Sequence, residues 1–255
     1  PSVAGSPAAI AAMTPRLAVS EYQAGATGPQ VMAGLLTAVA GANLCGTLPC
    51  DEVGAVLVGQ LSAPQFQINT PNPSGGDPVP GPWGDPVMPS PVTADPLGVL
   101  ITTPATCDAG GCPTVIFGHG LGSQKETMVL IASQLAANGF NAVAIDFVAH
   151  GQRAVKISTD GPCAPADVTP AAAPQCFAPF LTPNLGATRD NLRQSVVDLH
   201  SLTASLQACG PTNCGLLSVD PADGAIAGRW PWRARRYSSV NASSPVVCGA
   251  NRVFI

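Results

Sequence analysis

The chain has 255 residues, enough for one large domain or a domain with an appendage. Hydrophobic residues make up 46% and charged residues only 10%, which argues against disorder despite 27 Pro and 27 Gly. The net charge is −4, and the best apolar runs are broken by Gly, Asn or Gln too soon to cross a bilayer.

The chain starts at Pro1 without a basic, apolar leader and therefore reads as a mature form or a fragment. Residues 1–26 are rich in Ala, Ser and Pro and weakly patterned. Pro29 to Ala42 suits a short helix, and Ala55 to Ser62 alternates as a strand should. Gln67 to Pro96 carries nine prolines and no period, which predicts a long loop wrapped on the surface or supporting a lid. Leu97 to Thr102 is a second strand.

Pro113 to Arg153 is the most informative stretch. Thr114 to Phe117 reads as a buried strand running into a His-Gly turn at His119-Gly120. Lys125 to Asn138 follows as a helix, with Met128, Ile131, Ala132 and Leu135 on one face and Gly139 closing it. Asn141 to Phe147 is apolar on both faces, as a central parallel strand should be, and a second His-Gly turn follows at His150-Gly151. The whole is one βαβ unit. Residues 154–186 form a Pro/Ala-rich, lid-like insertion. Thr188 to Cys209 is the longest helix, and Leu192, Val196, Leu199, Leu202 and Leu206 recur on what reads as its core face. Asp220-Pro221 then turns the chain into a short strand, Ala225 to Ala227.

Eight of the nine cysteines fall into near-neighbour pairs: Cys45/Cys50, Cys107/Cys112, Cys163/Cys176 and Cys209/Cys214, with Cys248 left over. Zinc sites favour C-x2-C pairs with His support, and the three histidines lie far away in sequence. Local disulfides that clip loops are the better reading, with Cys248 free, and they imply an oxidising location outside the cytoplasm. No metal is implied.

Composition breaks at Gly228. Residues 1–228 hold six Lys+Arg against all fifteen Asp+Glu, a net of −9, whereas residues 229–255 hold five Arg and no acid. A nucleic-acid-binding tail would rest on those arginines alone, beside a body whose charge repels phosphate. A frameshifted or misassembled end is the better account.

The elements PTVIFGHGLG, LAANGFNAVAIDFVAHG and ATRDNLRQSVVDLHSLTASLQ occur in the order seen in α/β-hydrolases. In detail they resemble the bacterial secreted, virulence-factor type lipases, over about Leu97 to Gly228 and more faintly over Gly59 to Asp85. The resemblance implies a partial α/β-hydrolase fold: a mostly parallel sheet with helices on both faces, lacking its C-terminal strands. It divides the chain into a loop-rich region (1–96), a partial core (97–228) and an anomalous basic tail (229–255). At most five strands are expected, with the Thr114 strand lying between those at Asn141 and Ala225.

The implied activity is carboxylic-ester hydrolysis by a serine nucleophile, on lipid or short acyl esters, with no cofactor, no nucleic-acid partner and peripheral contact with a lipid surface. An oxyanion needs two preorganised backbone donors. One would be the N–H of Leu121, in the turn formed with His119, Gly120 and Gly122; the other follows the nucleophile in a G-x-S-x-G elbow. Aligning that elbow on Gly228 puts Trp230 at the Ser position and Pro231, which has no N–H, at the donor. No G-x-S-x-G occurs in the sequence, and all three histidines precede the elbow although the triad order is Ser, acid, His. The expectation is therefore a catalytically incomplete hydrolase. The competing reading is a secreted binding protein on a hydrolase-like scaffold, which explains the missing triad but not the glycine-rich turn.

Several side chains have plainer expected roles. His119 is read as hydrogen-bonding within its own turn, Asp146 and His150 as ordering the second turn, and His200 as lying at a solvent edge. Ser123 is expected to cap the following helix, and Asp190 with Arg193 to form a surface pair.

Overall fold

A computed structural model describes residues 16–23, 25–106 and 112–208, together with the backbone of a two-residue strand at 253–254. Its elements are β1 (Arg16–Glu21), α1 (Gly28–Ala40), β2 (Val53–Gln65), β3 (Thr93–Pro104), β4 (Thr114–Phe117), α2 (Val129–Ala137), β5 (Asn141–Ile145), α3 (Leu185–Ala208) and β6 (Val253–Phe254). The strands form one sheet in the order β1-β2-β3-β5-β4-β6.

The fold is mixed α/β, and two expectations about the sheet are corrected. The sheet is not mostly parallel: β1–β2, β2–β3 and β3–β5 pair antiparallel, and only β5–β4 and β4–β6 pair parallel. Direction was not legible because a strand buried on both faces has the same apolar pattern whichever way it runs. The sheet also has six strands rather than five. β1 hides in the weakly patterned N-terminal stretch, where Leu17 and Val19 point into the core and Ala18 points out. β4 does lie between β5 and a later strand, but that strand is β6. The expected strand at Ala225 to Ala227 lies outside the described residues.

Side chains alternate across the sheet because successive Cβ atoms point to opposite faces. Val56, Leu100, Ala142 and Ala144 face α1 and α2, meeting Val31, Met32, Leu36, Val129 and Ala132. Leu57, Leu61, Val99, Ile101, Val143 and Ile145 face the other way, toward Leu202 and Leu206 of α3. Helices therefore cover both faces. Each fully buried Leu, Ile or Val contributes roughly 1.5–3 kcal/mol relative to exposure, so the sheet is held from above and below.

Local signals set the helix ends. Thr27 and Gln30 form a reciprocal capping box at the start of α1, and Gly41 closes it in the left-handed region. A 3-10 turn, Lys125–Met128, leads into α2. Gly139, at φ +76°, ends it, with its N–H on Ala136 O and the Phe140 N–H on Leu135 O. Ser123 does not cap this element; its hydroxyl pairs with Thr127 Oγ1 at 2.6 Å.

The long helix α3 buries a different face from the one its leucines suggest. Leu202 and Leu206 are buried and Leu199 is half-buried, but Leu192 and Val196 are exposed. In the N-terminal half most buried positions are polar (Asp190, Asn191, Gln194, Ser195 and Asp198), beside the apolar Ala187 and Val197. The cause is the neighbour. This half lies against the 66–86 segment, whose backbone groups are outside the sheet ladder and need side-chain partners. Gln194 accepts from Phe66 N–H (3.0 Å) and donates to Pro64 O (2.8 Å), while Asp190 accepts from Trp83 N–H (2.9 Å). Asp190 is thus no surface residue, and its nearer cation is Arg189 at 2.7 Å rather than Arg193 at 3.5 Å.

Disulfides join Cys45 to Cys50 and Cys163 to Cys176. Cys112 is also disulfide-bonded, while Cys107, Cys209, Cys214 and Cys248 lie outside the described residues. Non-reducing peptide mapping should recover Cys45–Cys50 and Cys163–Cys176, with Cys112 joined to Cys107 rather than to a distant cysteine. A Cys112 link to any of Cys209, Cys214 or Cys248 would contradict a framework of local clips.

Candidate functional site

β4 and β5 are parallel neighbours, so the turns that leave them, Gly118–Ser123 and Asp146–Arg153, emerge side by side at the same end of the sheet. After β4 the chain crosses through α2 to β5 on one side, and the remaining parallel strand, β6, sits on the other side of β4. The Gly118–Ser123 turn thus opens at the point where the winding reverses, the usual position of a ligand crevice in open α/β sheets.

His119 joins the two turns. Its Nε2 accepts the Phe147 N–H at 3.0 Å, so the proton must sit on Nδ1, which donates to Gly120 O at 3.0 Å. The ring is buried and packs on Phe147 (centroids 4.6 Å apart) and on His150 (4.9 Å). Burial pushes its pKa below the ordinary histidine range, against the pull of the Gly120 carbonyl, and His150 adds to the depression. With both nitrogens engaged, His119 is a brace and not a base.

The second turn is built on Asp146. Its buried carboxylate accepts the Lys125 N–H (2.8 Å), the Gln152 N–H (3.0 Å) and the Lys125 ammonium (2.8 Å). Lys125 is buried too, and Glu126, at 2.7 Å, gives it a second carboxylate. Gly151 adopts φ +50°, and a Cβ there would lie 2.2 Å from Asp146 Oδ1. The spacing Asp-x-x-x-His-Gly thus has a local cause: the turn folds back until the glycine lies on the carboxylate. Within it Ala149 has φ 59°, alone among the described non-glycine residues in the left-handed region. His150 donates from Nδ1 to Val148 O at 2.8 Å and packs against Phe180 of the insertion at 5.2 Å.

α3 holds the same turn from behind. Arg153 reaches Asp198 at 2.7 Å and the Asp146 carbonyl at 3.2 Å, and the Ser195 hydroxyl accepts the Val148 N–H at 3.2 Å. Burial pushes the Asp198 carboxyl above the usual range, and Arg153 and Gln194 pull against that rise. Sequence reading missed Lys125, Ser195, Asp198 and Phe180 as parts of this site. Only Lys125 had a legible signal, a cation at the first turn of the helix between two glycine-rich turns.

The turn from Gly118 to Gly122 offers donors and little else. Leu121 is 67% exposed, and no hydrogen bond engages its N–H among the described residues. Gly122, at φ +73°, lets the chain double back toward Ser123. Trp230 and Pro231, at the expected elbow, lie outside the described residues. His200 is exposed on α3, away from these turns in sequence. No group of three or more His, Cys, Asp or Glu among the described residues is arranged to hold a metal ion.

Compared with protein-family models, with curated proteins and with solved structures, the chain matches none.

Two outcomes follow from this geometry. Gly151→Ala should destabilise the protein by ~2 kcal/mol or more, because it adds both left-handed strain and a clash with a buried carboxylate. Thermal unfolding followed by circular dichroism should then show the midpoint lowered by roughly 4–8 °C; an unchanged midpoint would contradict the packing of Gly151 on Asp146.

His119 has a depressed folded-state pKa, so the folded state binds its proton less readily than the unfolded chain. The stability tied to its neutral form is complete above about pH 6.5 and is lost as pH falls through the depressed value. Urea unfolding should show a larger loss between pH 7.5 and pH 5 in the wild type than in His119→Asn. Equal losses would mean that His119 protonates freely in the fold.

Proposed function

We propose that this chain carries a partial core of a serine-type carboxylic-ester hydrolase, on the α/β-hydrolase plan and similar to bacterial secreted lipases. The observation that carries the reading is the junction of two His-Gly turns at the carboxyl ends of β4 and β5, locked together by His119, at the reversal point of the sheet. Such a junction fixes a glycine-lined backbone with the Leu121 N–H unengaged. That N–H is one of the two donors that an ester's tetrahedral oxyanion requires. His119, Asp146 and His150 would serve this donor by holding its turn, while Phe180 packs the insertion against His150. The mixed strand directions do not conflict with the reading, because the chemistry needs only the parallel strands that feed the two turns.

The nucleophile, acid and base belong to segments for which this sequence supplies no candidates: it contains no G-x-S-x-G and no histidine after His200. Lipid or short acyl esters are the proposed substrate class. The disulfides favour a secreted or cell-surface location, and no helix among the described residues is long and apolar enough to cross a membrane. A second reading, a binding scaffold without catalysis, is favoured by the commitment of both His119 nitrogens to structural hydrogen bonds.

The purified chain should match buffer on short-chain p-nitrophenyl esters and should resist labelling by a fluorophosphonate. Losing a single oxyanion donor already costs ~10²–10³ in rate, before the missing nucleophile is counted. Stoichiometric labelling at any serine, Ser123 and Ser238 being the first to check, would overturn the assignment of the elbow to Gly228. Grafting a Ser-containing elbow and the following strands from a secreted lipase after Gly228 should restore hydrolysis. A folded graft without activity would favour the binding scaffold.

A further inference from the structure

The two turns at the candidate site are held unequally. The Asp146–Arg153 turn is fixed from several directions. Asp146 meets the N–H groups of Lys125 and Gln152, the Ser195 hydroxyl accepts the Val148 N–H, and Arg153 reaches Asp198 and the Asp146 carbonyl. The Gly118–Ser123 turn has only local bonds of its own, from Ser123 N–H to Gly120 O and between the Ser123 and Thr127 hydroxyls. Among the described residues a single hydrogen bond joins it to the other turn, from the Phe147 N–H to His119 Nε2.

That bond needs a lone pair. Nδ1 donates to Gly120 O, so Nε2 must stay bare to accept. A proton on Nε2 would set a donor against a donor. The resulting imidazolium would also lie against the buried His150 ring, 4.9 Å away, whose Nδ1 donates to Val148 O. The other ionisable groups acting on His119 are Asp146, at the end of β5, and Glu126, in the turn before α2. Both favour the proton, yet each carboxylate already holds the Lys125 ammonium, at 2.8 and 2.7 Å. From the insertion the row of rings is met by the uncharged Phe180.

We propose that His119 is an acid-operated latch: while neutral it ties the Gly118–Gly122 turn to the turn after β5, and a proton on Nε2 frees the first turn while the second stays anchored. The Leu121 backbone moves with the freed turn, so acid withdraws its N–H from a fixed position. Burial holds the His119 pKa below its ordinary 6.5 in the latched form, and the open form regains the ordinary value. The open form therefore binds the proton more readily. As pH falls from about 6.5 toward the depressed value, the open fraction gains about tenfold per pH unit, and below that value it gains no more. The latch needs no ester and no nucleophile, so its failure and that of the hydrolase reading are seen in separate measurements.

Amide exchange on the full chain reads the latch directly, with protection taken relative to an unstructured amide so that the intrinsic pH dependence cancels. Between pH 7.5 and pH 5 protection at Phe147 should fall at least about threefold, the effect of a pKa lowered by roughly half a unit. Protection at Val148 and Gln152, whose N–H groups go to Ser195 and Asp146, should hold. His119→Gln supplies a carbonyl acceptor that does not titrate, and protection at Phe147 should then be the same at both pH values. Constant protection at Phe147 in the unmodified chain would overturn the proposal. So would an equal fall at Phe147, Val148 and Gln152, which is loss of the whole turn, or a variant that keeps the pH dependence. Should the variant fail to fold, nitrogen NMR of the imidazoles in the unmodified chain decides the matter. His119 Nε2 must be bare at pH 7.5 and take its proton with the same midpoint as the loss of protection at Phe147; a protonated Nε2 or a different midpoint sinks the idea.

Discussion

The Asp146 carboxylate leaves β5 at the point where the sheet ends, and it is buried. A charge in that position must be met by protein donors or be given up. It is met by two backbone N–H groups, from Lys125 and Gln152, and by one ammonium, each within 3.0 Å. Those donors belong to the start of the α2 region and to the turn after β5, so one side chain fixes the relative position of both. Gly151 is required at its place because nothing larger fits over the carboxylate. His119, Phe147 and His150 then pack as a row of rings whose spacing is set by the two turns so anchored. Removing one member of a buried charge pair typically costs about 3–5 kcal/mol, so the carboxylate and Lys125 stand or fall together.

A second polar layer lies behind the first. The N-terminal half of α3 buries mostly hydrogen-bonding side chains, with Val197 packed on Phe66 and Trp83 beside them. Gln194 alone ties Pro64, Phe66 and Asp198 to one helix position. Arg153 carries the connection onward from Asp198 to the turn after β5. The apolar half of α3, at Leu202 and Leu206, clamps the sheet. The helix thus divides its labour along its length, with specificity at one end and burial at the other.

The elements that packing alone determines were legible. The β4 boundaries Thr114–Phe117 agree residue for residue, and α1, α2 and α3 lie within a few residues of their expected positions. Both turns were visible because each holds a glycine at left-handed φ, Gly122 in the first and Gly151 in the second. Strand direction was not visible, since the apolar run of Leu97 to Thr102 has no arrow. The face of α3 was misjudged because its exposed Leu192 and Val196 share a period with its buried leucines, while its true inner face is written in Asp, Asn and Gln. Lys125 and Asp198 were missed for a related reason: a charged residue looks like surface until its partner is known.

The backbone of Phe66 is satisfied by a side chain 128 positions later in the chain, and that of Trp83 by one 107 positions later. The two disulfides between described residues close rings far shorter than this, at separations of 5 and 13 residues. Neither of them brings α3 to the 66–86 segment. At a synthesis rate of about 5–20 residues per second, that segment waits on the order of ten seconds for its partner to be made. Throughout that interval the Phe66 and Trp83 N–H groups are without the partners that α3 supplies in the fold.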